Sequence, residues 1–341
     1  MQVNICGRRY IDVYGGWYSA YKNVMDCFND LGATINISPF INIQELPDYV
    51  TVGIQDSSDA FYVYNHTYLE DLERMESIFG KKTFIIKPTL PTPNHFTLDS
   101  RGYAAASSIT YKKPTYTNYD STEFFEIDVP NMLRDRPNKW SDRDWCGFKD
   151  SETLDLPDDH ILLIGQLPLD EVCTRMSFGN NFAKLAGLVT QLEHSFDKLV
   201  IKLHPHLMED PDSEENCFTD LIPKETYQEY IDMWREWGIT VFTGYESLYD
   251  ILPKTKVAIV ENSTSGFECL MMQVPVISFG KPEYHWATQP LEHAYILPSL
   301  IDDMSWYDKK NANSFTAWYF KEYLCCDKES TMKRIIEILA E

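Results

Sequence analysis

Three short polar segments concentrate the residue types that carry group-transfer chemistry, and each follows an apolar run. The first is Glu261-Asn262-Ser263-Thr264-Ser265-Gly266-Phe267-Glu268, between the run at 257–260 and a helical pattern. Hydroxyls at the start of a helix can cap its first N–H groups, which otherwise point outward without partners. Gly266 adds a position where another group can approach the backbone closely. The same arrangement suits a phosphate, to which the helix dipole contributes roughly 0.3–1 kcal/mol before direct hydrogen bonds. Glu268, one turn in, can accept from a ribose hydroxyl. Two readings fit this segment equally: a nucleotide site, or a plain N-cap in which Glu268 completes a capping box.

The second segment is Lys202-Leu203-His204-Pro205-His206. Pro205 stops the strand, and alternation puts Lys202 and His204 on the same side. A cation and an imidazole at the carboxyl end of a sheet suit a diphosphate or phosphodiester. Two histidines at i, i+2 without a third ligand make a weak metal site, and taken alone the pair reads as strand-end histidines with no ligand. The third segment is Gly165-Gln166-Leu167-Pro168-Leu169-Asp170. A carboxylate held in a cleft can act as base or nucleophile on a sugar carbon. An isolated loop Asp is ordinarily a solvated turn residue. What favours chemistry is that all three segments follow expected parallel strands of one sheet, so they converge on one edge.

The elements that must position them follow an α/β pattern. In the first half, strands are expected at 2–6, 34–37, 49–54 and 83–86, with helices at 17–31 and 68–79. Residues 90–159 read as loops, a few edge strands and a connection. In the second half, strands at 161–164, 199–203, 239–242, 257–260 and 275–279 alternate with helices at 181–194, 226–237, 247–252 and 265–272. The apolar run at 161–164 is the mark of a strand buried on both faces. A chain of 341 residues is long enough for two domains. We place them at 1–155 and 156–341, with amphipathic helices at 315–324 and 331–339 packing back across them. Two doubly wound units bind ligands at the carboxyl ends of their strands.

Composition bounds the partners. With 52 acidic and 30 basic residues the formal charge is −22, which disfavours a nucleic-acid backbone as ligand. Eight cysteines without a C-x-x-C pair read as reduced, mostly buried thiols of a cytoplasmic protein. No apolar run reaches the length of a transmembrane segment. Asp142-Arg143-Asp144 and Asp210-Pro211-Asp212 have a D-x-D form, but the latter lies among five carboxylates in the seven residues from Glu209 to Glu215 and reads as a solvated face. The aromatic-rich stretch from Tyr10 to Tyr18 suits either sugar stacking or domain packing. P-loop, zincin and common serine-hydrolase motifs are absent.

Taken together, the three segments resemble the capsular polysaccharide synthesis family of bacterial Kdo transferases. Members carry G-Q-x-x-x-D, K-x-H-P and S-[ST]-x-G-x-E-[AC]-L segments, the last followed by P-V and a strand ending in Gly. Here these are Gly165 to Asp170, Lys202 to Pro205 and Ser263 to Leu270, then Pro275-Val276 and Gly280, with Tyr284 shortly after. The likeness covers about residues 160 to 290. It departs at Val172-Cys173-Thr174, at Gln273-Val274 before the P-V, and at Lys281 to Trp286.

The resemblance implies a GT-B fold, two Rossmann-like domains with a cleft between them. It implies an N-terminal acceptor domain and a C-terminal donor domain. Lys202 and His204 would contact the donor phosphate, Ser263, Thr264 and Ser265 would bind phosphate beside Gly266, and Glu268 would hold the ribose. Asp170 would supply the catalytic carboxylate, as nucleophile in a retaining double displacement, and Gln166 would position the sugar. The expected function is glycosyl transfer from a nucleotide-sugar, CMP-Kdo-like or a UDP-sugar, to a glycan acceptor. In this reading the nucleotide-sugar is a substrate, and neither a cofactor nor a metal is needed. The competing readings are transfer of a polyol phosphate from a CDP-activated donor, and a non-catalytic GT-B scaffold that binds a glycan or partner.

Overall fold

The computed structural model describes residues 1–6, 15–38, 60–64, 83–89, 92, 94–134, 154–168, 170–174, 176–177, 179–208, 224–244 and 246–341. The expected strand at 49–54, the helix at 68–79, both D-x-D segments and residues 10–14 of the aromatic stretch lie outside them. The chain divides into two compact units, one holding Met1–Thr115 and Trp318–Glu341, the other holding residues 116–134 and 154–317. Residues 116–134 therefore belong with the second unit, although the sequence reading put the boundary at 155. Packing is the reason: the Tyr116 ring meets Phe315 edge-on at 5.0 Å, and its hydroxyl donates to the Trp286 carbonyl at 3.4 Å.

The first unit is built on β1 (Gln2–Cys6), β2 (Thr34–Ser38), β3 (Ala60–Tyr64), β4 (Thr83–Pro88), β5 (Phe96–Asp99) and the late strand β12 (Leu324–Cys325). They form a six-stranded sheet in the order β12-β5-β4-β3-β1-β2. β1 to β4 pair in parallel, whereas β5 runs antiparallel to both β4 and β12. Alternation sends Val3, Ile5, Val63, Phe84, Ile86, Phe96 and Leu98 to one face. Tyr21, Val24 and Phe28 of the helix Gly15–Asp30 cover it, with Ile335 and Ile338 of the helix Lys328–Ala340. Phe28 meets Phe84 edge-on at 5.2 Å. The last helix starts at a capping box between Asp327 and Ser330, and its Arg334 Nε donates to the Leu98 carbonyl at 2.9 Å. The helix expected at 315–324 is instead Lys309–Trp318, widening into a π-helical turn over Tyr319–Tyr323.

The second unit carries β6 (His160–Ile164), β7 (Leu199–Lys202), β8 (Thr240–Phe242), β9 (Thr255–Val260), β10 (Val276–Ser278) and β11 (Gln289–Pro290). All pair in parallel, in the order β11-β10-β9-β6-β7-β8. Every residue of β6 and β7 is buried, which explains their apolar runs Ile161–Ile164 and Leu199–Ile201. The helix Asn181–Gln191 contributes Phe182, Leu185, Leu188 and Val189 to the core, and Lys224–Glu236 contributes Tyr227, Ile231 and Trp234. Chain order reverses between β6 and β9. That is the topological switch point of a doubly wound sheet, where the loops leaving the two strands diverge and open a crevice. Among the described residues, no helix is long and apolar enough to cross a membrane.

Candidate active site

The loops leaving β6 and β9 are laced together at the switch point. Gln166 is 7% exposed, and its Oε1 accepts from the Asn262 N–H at 2.8 Å. The Gln166 N–H in turn donates to Asn181 Oδ1 at 2.7 Å. Asn181, at the start of its helix, donates through Nδ2 to Glu261 Oε2 at 2.6 Å. The other oxygen of Glu261 pairs with Lys184, one turn further along the same helix. Since Glu261 follows directly on β9 and precedes Asn262, these bonds close a ring from one loop to the other. Asn262 Nδ2 extends it to the Val172 carbonyl at 2.9 Å and Ser177 Oγ at 2.5 Å. Asn262 Oδ1 is buried without a partner among the described residues and faces Gly280, where a Cβ would lie 2.6 Å from it.

Asp170 stands on the loop leaving β6. Its Oδ1 accepts from the Val172 N–H at 3.1 Å and its carbonyl from the Cys173 N–H at 2.9 Å, so it caps the short helix Glu171–Thr174. Oδ2 has no hydrogen bond among the described residues, and the residue is half-buried. The Cys173 thiol is held well above its ordinary range by burial, with the Glu261 and Asp170 carboxylates beside it. It therefore stays a neutral packing group next to the site rather than a nucleophile.

At the end of β7, Lys202 is 6% exposed. Its Nζ donates to the Gly244 carbonyl at 2.5 Å and lies 3.7 Å from Glu246 Oε2. Burial lowers this ammonium to about 8, against the opposing pull of Glu246. Lys202 thus clamps the loop that leaves β8, while His204 is half-buried at the start of the turn Pro205–Met208.

Past β9, the helix Ser265–Met271 begins at Thr264, which makes no side-chain cap. Ser263 Oγ accepts from the Ser265 N–H at 3.2 Å. The hydroxyls of Thr264 and Ser265 have no hydrogen-bond partner among the described residues, and both side chains are half-buried. With Thr264 as the cap, Glu268 sits one position beyond the place that a capping box requires, so the plain capping reading fails. Glu268 is 4% exposed. Burial, with the Glu268 carboxylate beside it, pushes the Tyr249 phenol up. The close approach at Gly266 is taken by Tyr284: a Cβ there would fall 2.2 Å from its hydroxyl, which donates to the Ser263 carbonyl. No group of three or more His, Cys, Asp or Glu side chains that could hold a metal occurs among the described residues.

Asn181 and Lys184 escape a sequence reading, and so does the ring that joins them to Glu261 and Asn262. Asn181 and Glu261 stand 80 positions apart, and each looks locally like an ordinary helix or strand-end residue. The signal that does exist is Glu261 itself, a carboxylate directly after a run of four fully buried residues from Val257 to Val260.

No protein-family model matches the chain, and no curated protein matches it. Solved structures do. A structure of Thermosulfurimonas dismutans KpsC described as a beta Kdo 2,4 transferase is 16% identical, covers 95% of this chain and 91% of its own, and superposes with a TM-score of 0.56. A second from the same organism, described as KpsC beta Kdo 2,7 transferase, is also 16% identical, over 99% of this chain and 98% of its own, at a TM-score of 0.53. Likeness along nearly the whole of both chains defines the fold class. The chain has the GT-B fold, with two Rossmann-like units.

Proposed function

We propose that the chain is a glycosyltransferase that moves a sugar from a nucleotide-activated donor to a hydroxyl of a glycan acceptor. One observation carries the reading: the switch point of an all-parallel sheet presents the carboxylate of Asp170 on one loop and, on the other, the hydroxyls of Thr264 and Ser265, which have no hydrogen-bond partner among the described residues. The donor is a CMP-Kdo-like or UDP-activated sugar, and both donor and acceptor meet the protein in the cytoplasm. The resemblance of Gly165–Asp170, Lys202–Pro205 and Ser263–Leu270 to Kdo transferases supports the same roles.

In this mechanism the Thr264 and Ser265 hydroxyls and the first N–H groups of their helix hold the donor phosphate, with His204 alongside. Glu268 accepts from the ribose. Lys202 acts on the same phosphate from its clamped position on the β8 loop. Asp170 attacks the anomeric carbon as the carbon–oxygen bond to phosphate breaks and the nucleotide leaves with the bonding pair. The acceptor hydroxyl then attacks the same carbon, loses its proton and releases the carboxylate, so the sugar configuration is retained overall. Gln166 contributes by holding the Asn262 N–H, which fixes the phosphate loop. The chemistry asks for no resident metal.

Incubation of the purified chain with CMP-Kdo and a panel of UDP-sugars, with glycan acceptors, tests the proposal by nucleotide release and product mass. Sugar transfer by the wild type and its loss in Asp170→Ala is the expected result. An Asp170→Ala protein with normal turnover would remove Asp170 from the mechanism. Release of CMP from a CDP-polyol, with a polyol phosphate on the product, would replace glycosyl transfer by phosphotransfer.

A further inference from the structure

The ring at the switch point contains a charge that the proposed reaction does not use. Glu261 is fully buried, directly before the loop on which the donor phosphate is proposed to rest. An uncompensated carboxylate there would repel the ligand through a low-dielectric interior, where like charges are screened little. Among the described residues, the one cation paired with it is Lys184, whose Nζ also donates to the Ser177 carbonyl at 2.8 Å. Ser177 Oγ in turn accepts from Asn262 Nδ2 at 2.5 Å. Lys184 thus touches both sides of the phosphate loop, Glu261 before it and, through Ser177, Asn262 within it.

We propose that Lys184 is a positioning residue for the donor phosphate. Acting through Glu261 and Asn181, it neutralises the buried charge beside the phosphate loop and fixes that loop against the loop that carries Asp170. The inference rests on the nucleotide-donor reading and assigns that site two residues outside the three sequence segments that define it, Asn181 and Lys184, together with Glu261 at the head of one of them. Lys184 is 27% exposed and its partner is not exposed at all, so the pair is shielded from solvent on the Glu261 side. Asn181 occupies the other carboxylate oxygen. Loss of Lys184 therefore leaves a buried carboxylate with only neutral partners among the described residues, the Asn181 amide and the Cys173 thiol, next to an incoming anion.

The experiment is a set of nucleotide titrations with CMP, CDP, UMP and UDP on the wild type, Lys184→Met, Lys184→Arg, Glu261→Gln and Lys184→Met/Glu261→Gln, each checked for cooperative unfolding. Lys184→Met should raise the nucleotide Kd about tenfold or more, the scale of a like charge facing a ligand. Glu261→Gln removes the repelling charge and should bind at least as tightly as the wild type. Lys184→Arg and the double variant should return to within about threefold of the wild type. A merely structural role would not produce this pattern, because the double variant lacks the ion pair altogether. Wild-type affinity in a folded Lys184→Met, or a double variant as weak as Lys184→Met, would overturn the proposal while leaving the nucleotide reading intact. A wild type that binds none of the four nucleotides would overturn both.

Discussion

Among the described residues each unit buries one carboxylate completely, Asp99 at the end of β5 and Glu261 just past β9. Asp99 accepts from the N–H groups of Arg101, Gly102 and Ser108 at 2.8, 3.1 and 3.0 Å, and from the hydroxyls of Ser108 and Tyr323 at 2.5 and 2.8 Å. The Arg334 guanidinium stands 3.7 Å away. These partners close a turn and tie the last helix to the sheet. Glu261 has fewer partners, and its neighbours downstream keep polar capacity open. Hydroxyls without a partner among the described residues occur near both, but Ser107 Oγ and Thr97 Oγ1, in the first unit, are buried, while Thr264 and Ser265 are half-buried. A saturated carboxylate marks architecture. One at a sheet's switch point, beside reachable and unsatisfied groups, marks a site.

The sharpest way to break this contrast is to separate chemistry from stability. Asp170→Asn should slow sugar transfer by about 10²–10⁴-fold with the nucleotide Kd and the unfolding midpoint unchanged; a matching loss of stability would make Asp170 a cap and nothing more. Asp99→Ala should do the reverse. It strands Arg334 and several buried donors, so urea unfolding should show a loss of about 3–5 kcal/mol while the nucleotide Kd in the folded protein stays put. Gly266→Ala sharpens the picture of the phosphate loop. Its methyl would collide with Tyr284 and cost about 1–3 kcal/mol, and thermal unfolding should find most of that loss recovered when Tyr284 is also shortened to Leu.

The smallest effect concerns Lys202, whose ammonium is lowered from 10.5 to about 8 by burial. Between those two values the unfolded chain holds a proton that the folded chain has released. Stability therefore rises with pH across that window, and the burial penalty is fully present below pH 8. Denaturation midpoints of Lys202→Met measured against the wild type should show this increment missing. Nucleotide affinity should also fall as pH passes about 8 in the wild type, and not in the variant.

Much of the second unit is legible in the residues. β6, β7 and β9 each carry an apolar run, and the polar segments at Gln166, Lys202 and Ser263 stand out because they follow such runs. The first unit is harder to read. β5 lies among prolines in a stretch that looks like loop, and its partner β12 is two residues near the other end of the chain, a pairing no local pattern encodes. No strand is expected at β3, Ala60–Tyr64, although it is as long as β1 and β2. Within the candidate site, residue types point to loops that leave strands of one sheet, but not to the partners that their side chains take. Gln166 is committed to the Asn262 N–H, Gly266 makes room for Tyr284, and Lys202 spends its Nζ on the β8 loop. Each of these is a long-range choice among partners that only the folded chain supplies.

The most direct test of the account is calorimetric titration of CMP, CDP, UMP and UDP into the wild type and into Thr264→Val/Ser265→Ala. Neither hydroxyl has a partner among the described residues, so the double variant should keep its unfolding midpoint. One nucleotide should bind the wild type, and its Kd should rise about tenfold or more in the variant, the scale of hydrogen bonds to a charged group. A nucleotide that binds both proteins equally would move the site away from the β9 loop. No binding to the wild type would contradict the donor site altogether.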